Sequence, residues 1–369
     1  MKIPYVDLSE QYRLERKKLL KKIDKTLSTG QFVGGNEIDI FENKIKKLCK
    51  VKYCVGLNSG TDALTLGLFA LGVKKGDEII TPPNSFIAST AVIAHLGAIP
   101  KFVDVRDDLN IDPKKIEKNI TKKTKAIMPV HLSGRPCEMD KIMDISKKYN
   151  IPVIEDAAQA VGSKFRKKPL GSFGKINCFS AHPLKNLNAV GDSGYITTND
   201  KNIYEIIKNL SNHGRIKNKD IVKRFGYVSR MDNLQASILN FRLNALNKII
   251  KIRRENAKFY FNFLKDHPYI KLPTEKKDEF NTYHTFVIQA EKRDLLHKYL
   301  ASKNIGSVIH YPIPIHLQPA AKKFGYKAGS FPITESQAKK ILSIPIHQFM
   351  NKSKIEKVSN EIIKFYRKY

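Results

Sequence analysis

The chain has 369 residues, 41% hydrophobic and 27% charged, and its 66 Lys and Arg against 35 Asp and Glu give a net charge of +31. That length predicts two domains rather than one, with enough apolar residues for a sizeable core. No apolar run reaches the ~18 residues that a membrane-spanning helix needs, and the opening MKIPYVDLSEQYR has no apolar signal core.

Cys49, Cys54, Cys137 and Cys178 form neither a CxxC pair nor a disulfide framework. A reducing cytoplasm is therefore expected, and no metal, because no His or Cys cluster has ligand spacing. The basic charge raises the question of nucleic acid. Against it, Lys and Arg are scattered along the whole chain, Lys greatly outnumbers Arg, and no helix-turn-helix, zinc-finger or RNA-binding signature is present. A solvated, lysine-rich surface is the reading taken, with no nucleic-acid partner.

Seven β-rich runs follow one another through the first two thirds of the chain. They are YCVGLNS at 53–59, EIITPPNSF at 78–86, AIPKFVDV at 98–105, KAIMPVHL at 125–132, IPVIEDAA at 151–158, NCFSAH at 177–182 and GYITTN at 194–199. Amphipathic stretches such as TDALTLGLFALG and CEMDKIMDISKKYN lie between many of them. The alternation predicts an α/β fold with a mostly parallel sheet covered by helices on both faces. Ligands of such folds gather at the carboxyl ends of the strands. From Met231 to about Asp266 apolar residues recur at helical spacing without a proline, which predicts one long helix or a helix pair. The strands TYHTFVIQA and GSVIHYPIP and the helices near RDLLHKYLASKN and ESQAKKIL predict a smaller α/β domain after it. The boundaries expected are 1–245 for the large domain and 246–369 for the small one, with the first dozen residues packing on the small domain.

Three pieces carry chemistry. In NSGTDAL at 58–64 a strand ends and a helix starts at small residues, leaving backbone N–H groups and the helix dipole for an anion. Read alone, an ordinary capped helix start explains it as well. In IEDAAQAVG at 154–162, Glu155 and Asp156 end an apolar strand, where a carboxylate meets a metal, a ribose, a cationic ring nitrogen or only solvent. In FSAHPLKNLNAVGDSG at 179–194, Lys185 sits in a loop between two strands among Ser180, His182, Gly191 and Gly194. A lysine desolvated there loses basicity and becomes a nucleophile.

In that chain order the pieces resemble a pyridoxal-phosphate (PLP) enzyme of the aspartate aminotransferase fold. SGTDAL, EDAAQA, HPLKNL followed by GDSG, NHGR, GYVSRMDNLQA and HYPIPIHLQ resemble the DegT/DnrJ/EryC1/StrS family of sugar aminotransferases across nearly the whole chain. The resemblance implies the PLP-dependent transferase fold, with a mostly parallel seven-stranded sheet, and a homodimer with shared active sites. It places Lys185 on the lysine that joins the cofactor covalently and Asp156 on the acid that pairs with the protonated ring nitrogen. Gln159 falls on the contact to the ring's phenolic oxygen, Gly60 and Thr61 on the amides at the phosphate, Ser180 on a hydroxyl reaching the phosphate, and Phe86 on the ring-stacking aromatic. The implied reaction moves an amino group from L-glutamate to a nucleotide-linked keto-sugar. KNLNAVGDSG and HYPIPIHLQ lean toward members acting on 3-keto sugars; a 4-keto acceptor and a dehydratase of the same family are the alternatives. His182, His310 and Tyr311 are the sugar-pocket candidates. His213 and Arg215 are candidates for the phosphates or the donor carboxylate.

Two positions depart from the family pattern. Many members read GYNxRM, with the Asn reaching the partner subunit's cofactor phosphate; here Val228 stands at the Asn, and either Ser229 or Arg230 replaces the contact or it is lost. Relatives acting at C3 often carry Tyr three residues before the lysine, where this chain has His182.

Overall fold

A computed structural model describes residues 2–216, 221–222 and 224–368. Helix α1 (Leu8–Leu27) starts where the Asp7 carboxylate accepts from the Glu10 N–H at 2.9 Å. Helix α2 (Asn36–Cys49) turns Phe41 and Ile45 into the core. Strands and helices then alternate: β1 (Tyr53–Leu57), α3 (Gly60–Ala70), β2 (Glu78–Thr81), α4 (Ala88–His95), β3 (Ile99–Phe102), β4 (Thr124–Ile127), α5 (Met139–Tyr149), β5 (Ile154–Asp156), β6 (Ile176–Ser180), β7 (Gly194–Thr198) and α6 (Lys201–Leu210).

Strands β3-β2-β4 form one run and β1-β7-β6-β5 another. Parallel bridges Ile127–Val153 and Val130–Asp156 join β4 to β5, completing seven strands in the order β3-β2-β4-β5-β6-β7-β1. Only β7 runs antiparallel to its neighbours. The inner strands are buried on both faces, β5 and β7 at every position, whereas the edge strand β3 alternates. Successive side chains point to opposite sides: Ile80, Phe179 and Tyr195 join one apolar cluster, Ile79, Cys178 and Ile196 the other.

The helical stretch after Met231 is a pair. Helix α7 (Asn233–Leu243) breaks at Asn244–Ala245, and α8 (Leu246–Leu264) follows. Leu246 and Ile250 of α8 pack in the large core, whereas Ala257, Tyr260 and Leu264 pack in a second one. That second core lies on a small antiparallel sheet of β8 (Ile270–Lys271), β9 (Phe286–Ala290) and β10 (Ile341–Ile344), with α9 (Arg293–Ser302) and α10 (Lys352–Tyr366) against it. Ile3, fully buried, belongs to the second core. Its N–H donates to Asn304 O at 2.9 Å and its carbonyl accepts from the Gly306 N–H at 2.8 Å. A Cβ on Gly306 would lie 2.6 Å from the Tyr5 nitrogen, so glycine there permits the N-terminal segment to dock. Among the described residues no helix is long and apolar enough to cross a membrane.

Candidate active site

The carboxyl ends of β1, β5 and β6 open on a cavity of about 370 Å³. Of the residues singled out in the sequence, Gly60, Thr61, Phe86, Asp156, Gln159, Ser180, His182, Lys185, His310 and Tyr311 all line it. They come from five separate segments, and the sheet topology is what brings them together.

At the end of β5 the two acids part, as alternation along a strand requires. Glu155 turns away from the cavity. Its carboxylate accepts from the Gly171, Phe173 and Gly174 N–H groups at 2.9, 2.7 and 2.8 Å and meets His131 Nε2 at 3.0 Å. Burial opposes its charge, but the His131 contact and these amides hold its pKa below the ordinary value. Asp156 turns into the cavity. Its Oδ2 accepts from the Ser89 hydroxyl at 2.7 Å and its Oδ1 from the Ala158 N–H at 3.1 Å. Burial raises its pKa, against the pull of those donors and of Lys185.

Lys185 is half-buried in the loop between β6 and β7. Burial drops its pKa from 10.5 to about 8, with Asp156 opposing. The loop is braced on every side. Lys185 N donates to His182 O at 2.8 Å, and Ala189 N to Ala181 O at 2.8 Å. The Asn186 amide donates to Thr282 O at 3.2 Å, across the seam to the small domain. From behind, Asn188 and Gln11 of α1 exchange two amide hydrogen bonds of 3.1 Å, and Arg242 of α7 donates to the Asn188 and Ala189 carbonyls at 2.8 and 3.0 Å.

Opposite Asp156 lies the start of α3. It begins at Gly60, before the Thr61 or Asp62 that the sequence suggests, because Ser59 is the cap and accepts from the Asp62 N–H at 3.0 Å. A Cβ on Gly60 would meet Ser180 Cβ at 2.7 Å, and one on Gly194 would meet the Ser59 carbonyl carbon at 2.4 Å. Two glycines thus let a helix N-terminus, a strand end and the β7 start close on one another. The Gln159 carbonyl is taken by the Ser133 N–H at 2.7 Å, which leaves its NH2 toward the cavity, 3.5 Å from the Tyr311 hydroxyl.

Residues beside the second core close the other side. His310 Nδ1 bonds Ser343 Oγ at 2.9 Å, and burial with the Lys185 charge drops its pKa to about 4. Burial and Asp156 push the Tyr311 phenol up to about 12. The Tyr311 ring lies 5.8 Å from that of Phe86. Sequence reasoning missed Tyr5, Ser89, Asp192, His284 and Thr285, which line the same cavity. Ser89 and Asp192 lay within or beside stretches already singled out. Tyr5 arrives only through the docking of Ile3, and no local pattern announces it.

His213 and Arg215 do not line this cavity. Arg215 lines a separate one of about 270 Å³ with Arg230, and His213 is exposed beside it. Val228 is exposed. Ser229 is buried and donates to Asn58 Oδ1 of its own chain at 3.3 Å, so it is engaged at home. Arg230 Nη1 donates to Asn212 at 2.9 Å.

A buried carboxylate at one end, a helix N-terminus at the other, a lysine of lowered basicity between them and an exposed aromatic face make a cradle for a flat, phosphorylated, cationic heterocycle. The residues present therefore fit PLP.

The profile of the DegT/DnrJ/EryC1/StrS aminotransferase family matches residues 13–363. The chain is 41% identical to a dTDP-3-amino-3,6-dideoxy-alpha-D-galactopyranose transaminase of Aneurinibacillus thermoaerophilus, covering 98% of this chain and 99% of that one. Its structure resembles that of DesV of S. venezuelae in complex with a ketimine intermediate, with a TM-score of 0.96 and 34% identity over 99% of this chain and 98% of that one. It also resembles NtdA of Bacillus subtilis with bound cofactor PMP, with a TM-score of 0.90 and 32% identity over 98% and 85%. A matching cavity, a matching profile and matching structures lead to one conclusion: this chain belongs to the DegT/DnrJ/EryC1/StrS aminotransferase family, whose members are PLP-dependent sugar aminotransferases.

Proposed function

We propose that this chain moves an amino group from L-glutamate to the C3 ketone of a nucleotide-linked 6-deoxyhexose, in two domains divided at 245/246, and that it works as a homodimer. The observation that carries the reading is the Lys185 amine, lowered to about 8, facing the Asp156 carboxylate across one cavity. The preference for C3 rests on the Aneurinibacillus relative, whose name specifies a 3-amino sugar.

When bound, PLP supplies an electron sink for the carbanion left by proton removal. Asp156, held by Ser89 and the Ala158 N–H, keeps the ring nitrogen protonated. Gly60, Thr61 and Ser180 hold the phosphate at the start of α3. Gln159 turns its NH2 to the ring's phenolic oxygen, and Phe86 covers the ring face. Lys185 would hold the cofactor and, once free, would move a proton between the donor's Cα and the cofactor's C4′. Its loop is braced so that one amine serves both positions. The same amine runs the steps in reverse on the keto-sugar, so the kinetics are ping-pong. His182, His310 and Tyr311 contact the sugar. His213, Arg215 and residue 228 serve the neighbouring subunit's site. A sugar dehydratase is disfavoured by Lys185 itself, since those relatives carry His at that position.

The test is spectroscopic and then chemical. Purified protein should be yellow, bleach with L-glutamate and recover its colour with a 3-keto nucleotide sugar in preference to a 4-keto one. Lys185→Ala should fold and lose turnover. A colourless protein, or wild-type turnover in that variant, overturns the reading.

A further inference from the structure

Behind the Lys185 loop the small domain places two unanswered groups. His284 is half-buried and lines the cavity. Its Nδ1 is sealed from solvent and bonds nothing among the described residues, whereas Nε2 is not sealed. A buried N–H without an acceptor is rarer and costlier than a buried acceptor without a donor. The ring proton therefore belongs on Nε2, and the side chain offers the cavity an N–H. Burial, then the charges of Lys185 and Arg253, keep the ring from taking a second proton.

Arg253 is the second group. It is 4% exposed, and among the described residues no carboxylate pairs with it. Its guanidinium donates to the carbonyls of Tyr283 and His284 at 3.1 and 3.2 Å and to Gln348 at 3.2 Å, and its Nε bonds nothing. A buried cation without a counter-ion is expensive. The acids lining the cavity do not offset it: Asp156 is engaged by Ser89 and Ala158, and Asp192 is exposed. A free donor in front of an uncompensated guanidinium suits an anionic oxygen ligand.

We infer that His284 donates its Nε2–H to a carboxylate of the substrate, with the Arg253 charge behind it supplying the attraction. The inference rests on the aminotransferase reading and deepens it. The carboxylate is that of the amino donor, since the proposed 6-deoxyhexose acceptor carries none.

The test uses the yellow holoenzyme and three variants. Glutarate, a dicarboxylate without an amine, is titrated calorimetrically. His284→Phe, which keeps the ring volume, should weaken it about tenfold or more, the scale of a lost hydrogen bond to a charged group. His284→Gln, which sets an amide NH2 near the Nε2 position, should restore most of the affinity. His284→Leu repeats the loss if the Phe variant fails to fold by circular dichroism. If the source is the donor, the half-saturating L-glutamate concentration for bleaching rises in parallel while the return of colour with a keto-sugar does not. A loss confined to the return of colour with an acidic keto-sugar would overturn the assignment to the donor. No glutarate binding to the parent enzyme, or equal binding by parent, Phe and Gln forms, overturns the inference. A preparation that never carries cofactor would instead sink the aminotransferase reading.

Discussion

At Lys185 two effects compete. Enclosure favours the neutral amine, Asp156 favours the charged one, and enclosure wins by lowering the pKa from 10.5 to about 8. At pH 7 about one amine in ten is then neutral, against about one in three thousand for an unperturbed lysine. Reductive trapping of pyridoxal on cofactor-free protein should therefore rise with pH around a midpoint near 8. A midpoint near 10.5 would show that the cavity does not tune the amine. Asp156 is tuned from the other side. Ser89→Ala removes the 2.7 Å hydrogen bond to Oδ2, which raises the Asp156 pKa further and weakens its hold on a protonated ring. Cofactor loss during dialysis should quicken by about tenfold, on the scale of one hydrogen bond to a charged group; an unchanged loss rate would remove Ser89 from the site. Lys185 and Asp156 were legible in the sequence because each follows an apolar strand and falls in a distinctive motif. Ser89 and His284 were not, because their importance lies in three-dimensional placement: a carboxylate 67 positions away for Ser89, and for His284 an Nδ1 that bonds nothing among the described residues.

Elements hold these residues in place through groups that never touch the cavity. The end of β5 is the case in point. Glu155, fully buried, gathers three backbone N–H groups of the 171–174 loop and His131, and the His131 N–H in turn donates to the Asp156 carbonyl at 3.0 Å. Its pKa is lowered, so the stability it contributes is present above the ordinary carboxylate range and is lost as pH falls through the folded value, below 4.5. Glu155→Gln turns an acceptor-only group into one bearing two N–H donors among donors. We expect it to cost about 3 kcal/mol, as breaking a buried charged network does, read as a lower urea midpoint with a flattened acid limb. A wild-type acid limb would mean another group drives acid unfolding. The seven strands were readable because short runs rich in Val, Ile and Phe alternate with amphipathic stretches. The break at Asn244–Ala245 was not, since residues on both sides keep helical spacing and neither is a strong breaker. The docking of Ile3 against Asn304 and Gly306 has no local signal in IPYV.

On the scale of the whole molecule, some of the exposed apolar residues gather in two stretches. Phe32 and Val33 stand beside Gly30, Gly34 and Gly35, and Ile221, Val222, Phe225, Tyr227 and Val228 crowd one excursion, with Phe225 97% exposed. The Asn233 N–H donates to Phe32 O, and Val33 bridges Asp232, so the loop before α2 lies against the residues that follow the excursion. Large exposed apolar groups of this kind mark an interface. Here they sit beside His213 and Arg215, family-matched residues that do not reach their own chain's cavity. On the proposed homodimer, a second copy of the chain would bury the patch and put those residues to use. Sedimentation should give twice the chain mass, and Phe225→Glu should shift the protein toward monomer and release cofactor. Val228→Asn is the sharper probe. It restores the hydrogen-bonding group that many relatives present to the neighbouring phosphate, in a place where Ser229 is already committed to Asn58. One hydrogen bond gained to the charged phosphate would slow cofactor loss by about tenfold, and only in the dimer. An unchanged loss rate in dimeric Val228→Asn would mean that residue 228 does not face the partner's phosphate, while a fully active monomer would dismiss the shared site altogether.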